Sequence, residues 1–263
     1  MTVSQDSMTA AMTYNAPGLA GQGEGRAPWG AGATLGLALV IGVVFLLLQV
    51  VVVVVFFAFD MSRNPDFDAK AFLTGVEHDG LLLAVATTVT SLLTTGLIAL
   101  LVKMRKGPSV RDYLCLAPIG PRSALPWLAA TLVLLAASDG LTYALGRPLV
   151  PEVMVDMYRT AGFPPLFWLA IVAMAPLFEE VFFRGFVFAG LERSRLGGLG
   201  AVLVTALAWA AIHLQYDAYG IATIFVIGLL LGTVRLKTRS VLLTIALHAT
   251  INAIAGLELV LLY

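Results

Sequence analysis

The stretch at residues 166–189, LFWLAIVAMAPLFEEVFFRGFVFA, decides the fold of this chain. A helix of roughly 20 apolar residues at about 1.5 Å per residue crosses the hydrocarbon core of a bilayer, and this stretch is long enough to do so. It nevertheless contains Glu179, Glu180 and Arg184. Ionisable side chains within the membrane are costly and usually face the interior of a helix bundle. The stretch therefore predicts a membrane helix that carries a polar site.

Six further apolar segments surround this one. They cover residues 33–59, 81–102, 124–145, 199–214, 221–236 and 241–262. The chain is 59% hydrophobic and 12% charged, whereas an average soluble domain has about 25% charged residues. We therefore expect an all-α, polytopic membrane helix bundle of about seven transmembrane helices, with six and eight as bounds, rather than a soluble globule.

The charges exclude some functions and orient the bundle. Sixteen Lys and Arg residues balance sixteen Asp and Glu residues, so no basic surplus is available for binding nucleic acid. Cytoplasmic loops carry the excess of Lys and Arg in membrane proteins. Eleven of the sixteen cations lie at one end of the predicted bundle and four at the other, and the sixteenth, Arg184, lies inside a predicted span. The eleven are Arg26, Lys103, Arg105, Lys106, Arg111, Arg122, Arg193, Arg195, Arg235, Lys237 and Arg239. This bias places the N-terminus in the cytoplasm, and we expect the polar site to open toward that side.

Helical spacing sorts the residues within the first polar cluster. At about 100° per residue, Glu180 and Arg184 lie within about 40° of each other, whereas Glu179 lies about 140° from Arg184. Glu180 is thus the predicted partner of Arg184. Glu179 faces another direction, where it can act as a base or a metal ligand.

Two more polar clusters lie in separate apolar segments, and each again has a four-residue spacing. Trp209 is followed by His213, and His248 is followed by Asn252. Each cluster alone also fits a structural role, as an ion pair, a hydrogen-bonded histidine or a polar contact between helices. Together they supply an acid, a cation, two imidazoles and an amide on three helices, which favours chemistry. The predicted helix 199–214 places His213 near its outer end, so either that helix continues to Tyr216, or it is broken and tilted, or its boundary is wrong.

The order of these motifs, Glu-Glu-x-x-x-Arg, aromatic-x-x-x-His and His-x-x-x-Asn, resembles the CPBP family of intramembrane proteases. That family includes the CAAX prenyl endopeptidases and bacterial proteins of bacteriocin processing and self-immunity, also called Abi proteins. The resemblance covers residues 175–256 and implies a catalytic core (166–263). Composition and hydropathy predict a flexible N-terminal tail (1–30) and N-terminal transmembrane helices (31–165) before it. The resemblance implies an integral, multi-pass protein of a prokaryotic inner membrane, acting on a protein or peptide substrate at the lipid bilayer.

The resemblance also implies a role for each motif residue. Glu179 and His213 correspond to the pair that activates water. His248 and Asn252 correspond to the pair that stabilises the oxyanion or completes a metal site, and Glu180 with Arg184 corresponds to their support. Trp209 stands where the family usually has Phe.

The cofactor and the reaction type stay open at this point. Glu179, His213 and His248 have the composition of a zinc site with one position left for water, although no His-Glu-x-x-His motif is present. The same residues can work without metal, as a glutamate-type protease. A transporter with a buried Glu/His/Arg relay and a non-catalytic membrane scaffold or immunity protein are the alternatives to an endopeptidase.

Overall fold

The computed structural model describes residues 27–263, and this part of the chain is helical without strands. A single turn of 3-10 helix, Val76–His78, lies between the second and third helices. The ten helices are α1 Ala31–Arg63, α2 Ala69–Gly75, α3 Gly80–Met104, α4 Val110–Tyr113, α5 Pro121–Ala144, α6 Glu152–Arg159, α7 Pro164–Glu192, α8 Gly197–Ala211, α9 Ala218–Thr238 and α10 Val241–Leu262. The predicted all-α polytopic bundle is confirmed.

Each of the seven predicted apolar segments forms a helix, but the fifth is shorter than expected. Six helices in the described residues are long and apolar enough to cross a membrane, namely α1, α3, α5, α7, α9 and α10. Helix α8 has 15 residues and ends at Ala211. At about 1.5 Å per residue it extends roughly 22 Å, less than the hydrocarbon thickness. His213 therefore lies on the turn after this helix. Of the three alternatives for this segment, the helix does not continue to Tyr216, and its predicted boundary at residue 214 is wrong.

The site is built around α7, which packs among other helices, whereas α1 and α5 lie at the periphery. In the most apolar window of α7 39% of the residues are buried, compared with 6% in α1 and in α5. Helices α8 and α9 form an antiparallel hairpin beside α7, and α10 crosses the same helix. The peripheral helices accordingly expose rows of Leu and Val side chains, as helices in contact with lipid do.

The N-terminal tail predicted at residues 1–30 falls mostly on residues 1–26, which lie outside the described part of the chain. Residues 27–30 lie within it. Trp29 packs edge-on against Tyr113 and Phe186, and the Nε of Arg105 donates a hydrogen bond to the carbonyl of Ala27. These contacts attach Ala27 and Trp29 to the core, and the domain division predicted from the sequence stays a prediction.

Helix α1 approaches α7 closely at Gly190. A Cβ atom at this position would collide with the side chain of Thr34, which is fully buried. The absence of a side chain at Gly190 is therefore what allows the two helices to pack at this distance.

We expect Gly190→Ala to lower the free energy of unfolding by about 1–3 kcal/mol, because the added methyl overpacks the contact with Thr34. Thermal unfolding of the purified protein measures the change. Gly96→Ala is the matched control, since a Cβ at Gly96 of α3 meets no atom within 4 Å. Equal stability of the two variants would contradict the close approach.

Candidate active site

Helix α7 contains two stretches of π-helix, Leu169–Met174 and Glu180–Val187. In a π-helix each N–H bonds to the carbonyl five residues back, and such stretches occur frequently at functional sites. Glu179 is the last residue before the second stretch, and Glu180 and Arg184 lie inside it. Both predicted acidic residues thus lie where the helix departs from regular α geometry.

The first π stretch leaves one backbone carbonyl without a partner in its own helix. The N–H of Ala175 bonds to the carbonyl of Ala170, five residues back, and Pro176 has no N–H to offer to the next carbonyl, that of Ile171. The Nδ2 of Asn252 donates to this Ile171 carbonyl over 2.7 Å. Asn252, predicted to serve the oxyanion, therefore uses one of its two amide hydrogens to complete the backbone of α7.

The second π stretch is completed in a similar way from α9. The N–H of Phe188 bonds back to Phe183 instead of Arg184, and the Nε of Arg235 donates to the Arg184 carbonyl over 2.9 Å. Arg235 is 1% exposed, and its guanidinium lies 4.9 Å from the Phe188 ring centroid. We had counted Arg235 among the loop cations, which is wrong. The sequence did contain an indication of this burial, because Arg235 lies one residue inside the predicted apolar segment 221–236.

Glu180 is the centre of the buried polar cluster. Its Oε1 accepts hydrogen bonds from the Nη1 of Arg184 at 2.9 Å and from the Nδ1 of His248 at 3.0 Å. The side chains of Glu180 and Arg184 are both fully buried. Arg184 also donates from Nη2 to the carbonyl of Gly228 in α9 over 3.3 Å. The predicted pairing of Glu180 with Arg184 is present, and it extends to α9 and α10.

The contact with Glu180 determines the tautomer of His248. A carboxylate can only accept, so the Nδ1 of a neutral His248 carries the proton and its Nε2 presents a lone pair. This Nε2 lies 3.9 Å from the Oε2 of Glu179. The structure thus brings His248 next to Glu179, whereas the motif resemblance had paired Glu179 with His213.

Glu179 points away from Arg184, as its spacing predicted, and contacts Trp209. The Nε1 of Trp209 donates to the Oε2 of Glu179 over 2.5 Å. The Glu179 side chain is 17% exposed, compared with 0% for Glu180. Of the two carboxylates, Glu179 is therefore the one that water can reach.

His213 lies on the turn at residues 212–217, and its ring meets the ring of Trp209 edge-on. Its Nδ1 donates to the carbonyl of Trp209 over 2.7 Å, since a carbonyl can only accept. The ring stacks on Tyr216, whose pKa is raised by burial and by the nearby Glu179 carboxylate. His213 is partly exposed and presents its own Nε2 outward from this bond.

The predicted zinc ligands are not assembled as ligands. Within residues 27–263, no three His, Cys, Asp or Glu side chains are placed so that they could hold a metal ion. Glu179 and His248 are neighbours, whereas His213 is joined to them through Trp209. The zinc assignment to Glu179, His213 and His248 stays a prediction, and no step below is derived through it.

A cavity of about 610 Å³ adjoins the turn that carries His213. It is lined by Gln49 of α1, Leu83 of α3, Met157 of α6 and, on the turn itself, Leu214 and Gln215. This end of the bundle is opposite to the loops rich in Lys and Arg. None of the six predicted site residues lines this cavity, so the predicted opening at the Lys- and Arg-rich end, between α7, α8 and α10, stays a prediction.

We expect Glu180→Gln to destabilise the protein by about 3–5 kcal/mol, because it leaves the Arg184 guanidinium buried without its counter-charge. Glu192→Gln is the control, since Glu192 lies on the same helix and pairs with Arg239, which is 63% exposed. The double variant Glu180→Gln/Arg184→Gln should recover part of the loss. Thermal unfolding and the yield of monodisperse protein measure these changes; a stable but inactive Glu180→Gln protein would indicate a direct role in chemistry.

Asn252→Leu should lower the free energy of unfolding by about 1–3 kcal/mol, because the carbonyl of Ile171 loses its donor in an apolar interior. Thr250→Val is the control on the same helix, where the hydroxyl bonds only to its own helix at Ala246. Unchanged thermal stability of Asn252→Leu together with lost activity would contradict the backbone role and favour the oxyanion role.

Part of the chain is similar in sequence to known proteins. The sequence model of the family described as "Type II CAAX prenyl endopeptidase Rce1-like" matches residues 161–254, a range that includes all six predicted site residues. An "Uncharacterized 24.3 kDa protein" of Escherichia coli is 33% identical over 131 residues, which cover 47% of this chain and 59% of that protein. No solved structure matches. Residues 161–254 are therefore similar to that family, which is consistent with the resemblance that the three motifs indicated.

Proposed function

We propose that this protein is an intramembrane endopeptidase in which Glu179 and His248 activate a water molecule. The observation that carries the proposal is the placement of a carboxylate oxygen 3.9 Å from an imidazole Nε2 whose lone pair is free. Each group is held by a separate partner, Trp209 for Glu179 and Glu180 for His248. A carboxylate and an imidazole held in this way have the composition of a general-base site.

A water molecule bound by both groups would donate one hydrogen to Glu179 and the other to the Nε2 of His248. Its oxygen lone pair would then point away from both and toward a substrate carbonyl carbon. As the carbon–oxygen bond forms, Glu179 takes the proton and the carbonyl oxygen becomes an oxyanion. Glu179 then delivers that proton to the amide nitrogen as the carbon–nitrogen bond breaks. The products are a carboxyl terminus and a free amine.

The oxyanion needs donors that are not already used. Asn252 keeps a second amide hydrogen beyond its bond to Ile171, and His213 is a donor at Nε2 when it is protonated. We assign oxyanion stabilisation to these two residues. Glu180 hydrogen-bonds the Nδ1 of His248, and Arg184 lies against the ring of Trp209, so both residues support the reacting groups from the side away from the water.

The substrate is a protein or peptide at the membrane. The cavity beside the turn of His213 has a volume of about 610 Å³, which lies within the range of about 300–1,000 Å³ of ligand pockets. Its lining combines apolar side chains with four polar ones, Gln49, Glu77, His78 and Gln215, so it offers both kinds of contact to a peptide. The description of the matching family makes prenylated C-terminal peptides the first substrates to test.

Glu179→Gln should lower the rate of cleavage by about 10²- to 10⁴-fold, because the amide keeps the shape of the side chain but cannot take a proton from water. The measurement is mass spectrometry of products from membrane-associated peptides, with and without a prenyl group, incubated with the protein in vesicles. Glu192→Gln, at the far end of the same helix, should cleave at the wild-type rate.

Wild-type activity in a well-folded Glu179→Gln protein would contradict the general-base role. Absence of cleavage by the wild type on every peptide would favour the scaffold or transporter alternatives. Metal analysis of the same preparations tests the zinc prediction: about one equivalent, lost together with activity on chelation, would support it. Full activity without metal would contradict it.

A further inference from the structure

We propose that Trp209 is a positioning residue for Glu179, through the hydrogen bond of its indole N–H. The proposal rests on the proposed function, since it concerns the same general base. Trp209 entered the sequence motif as an aromatic residue only. The structure gives it a polar contact that another aromatic side chain would lack.

The contact is direct and its direction is unambiguous. The indole Nε1–H can only donate, and the Oε2 of Glu179 accepts it over 2.5 Å. A donor to an ionised carboxylate makes a hydrogen bond roughly twice as strong as one between neutral groups. Among the residues that the structure describes, Glu179 receives no other hydrogen bond. The orientation of the carboxylate therefore depends on Trp209.

The indole itself is held on several sides. The guanidinium of Arg184 lies 4.6 Å from the centroid of its ring. The rings of His213 and His248 meet it edge-on, with centroids 5.2 and 5.1 Å away. Gly228 of α9 leaves room for it, since a Cβ there would come within 3.1 Å of the indole. Trp209 is 3% exposed, so it is a rigid donor.

These contacts explain how the partly exposed carboxylate of Glu179 keeps one orientation. Glu179 reaches the water that it must activate, and a carboxylate in contact with water would otherwise sample several rotamers. Fixing Oε2 against the indole leaves Oε1 and the second lone pairs of Oε2 for water, next to the Nε2 of His248. Loss of the N–H should therefore disorder the base without moving the imidazole.

Two variants separate the N–H from the ring. Trp209→Phe keeps an aromatic ring, and replacement of Trp209 by benzothienylalanine keeps the full shape of the indole, with sulfur in place of N–H. We expect both to lower kcat by about 10- to 100-fold, as displaced supporting contacts do, with KM unchanged. Trp127→Phe is the control, because the indole of Trp127 in α5 donates no hydrogen bond within the described residues, and it should retain wild-type kcat.

A purely structural role of Trp209 gives a different pattern. The benzothienylalanine protein would then be as active as the wild type, and Trp209→Phe would lose thermal stability instead of kcat. A similar loss of kcat in both variants, accompanied by a rise in KM, would indicate that Trp209 contacts substrate. Either result would overturn the positioning role.

A second measurement does not depend on catalysis. The chain has four Trp residues, so indole ¹⁵N labelling gives few signals, and each is assigned by its Trp→Phe variant. We expect the Trp209 indole proton at low field in the wild type and shifted upfield in Glu179→Gln. A signal unaffected by Glu179→Gln would overturn the inference. A shifted signal in a protein that cleaves no peptide would leave the contact in place and contradict the proposed function alone.

Discussion

The buried carboxylate of Glu180 is the interaction on which the rest of the site depends. Removing an ionised group from water costs several kcal/mol unless opposite charge and hydrogen bonds compensate. Here Arg184 of the same helix and His248 of α10 share the same oxygen, Oε1. One charge thereby joins α7 to α10 and selects the tautomer of the imidazole. The lone pair on the Nε2 of His248 therefore follows from the same contact that joins the two helices.

Backbone hydrogen bonding explains a second group of polar residues. In an apolar environment each backbone group must find a partner within the protein. The π stretches of α7 release the carbonyls of Ile171 and Arg184, and Asn252 and Arg235 satisfy them. Two side chains that would ordinarily suggest chemistry thus allow α7 to keep an irregular backbone. The irregular backbone begins directly after Glu179 and carries Glu180 and Arg184.

The sequence was sufficient for the helices and for the pairing of Glu180 with Arg184, because hydropathy and a four-residue spacing are local properties. It could not predict the partner of Asn252, since the free carbonyl of Ile171 arises only from the π geometry beside Pro176. The end of α8 at Ala211 was also missed, because the apolar residues continue to Leu214 while the helix does not. The contact of His248 with Glu179 joins α10 to α7, and no local spacing within one helix predicts such a contact.

Each of the two π stretches also places one more residue in α7 than a regular α-helix would hold there. A hydrogen bond that closes five residues back holds one residue more than an α turn does. Each stretch is therefore equivalent to a single-residue insertion accommodated within one helix. Removing one residue from Leu169–Met174 would restore regular geometry there, whereas removing one from a regular turn of the helix would rotate everything upstream relative to Glu179 by about 100°. In this helix the register of the faces, and so the partnership of α7 with α3 and α10, is encoded by residue count as much as by residue type.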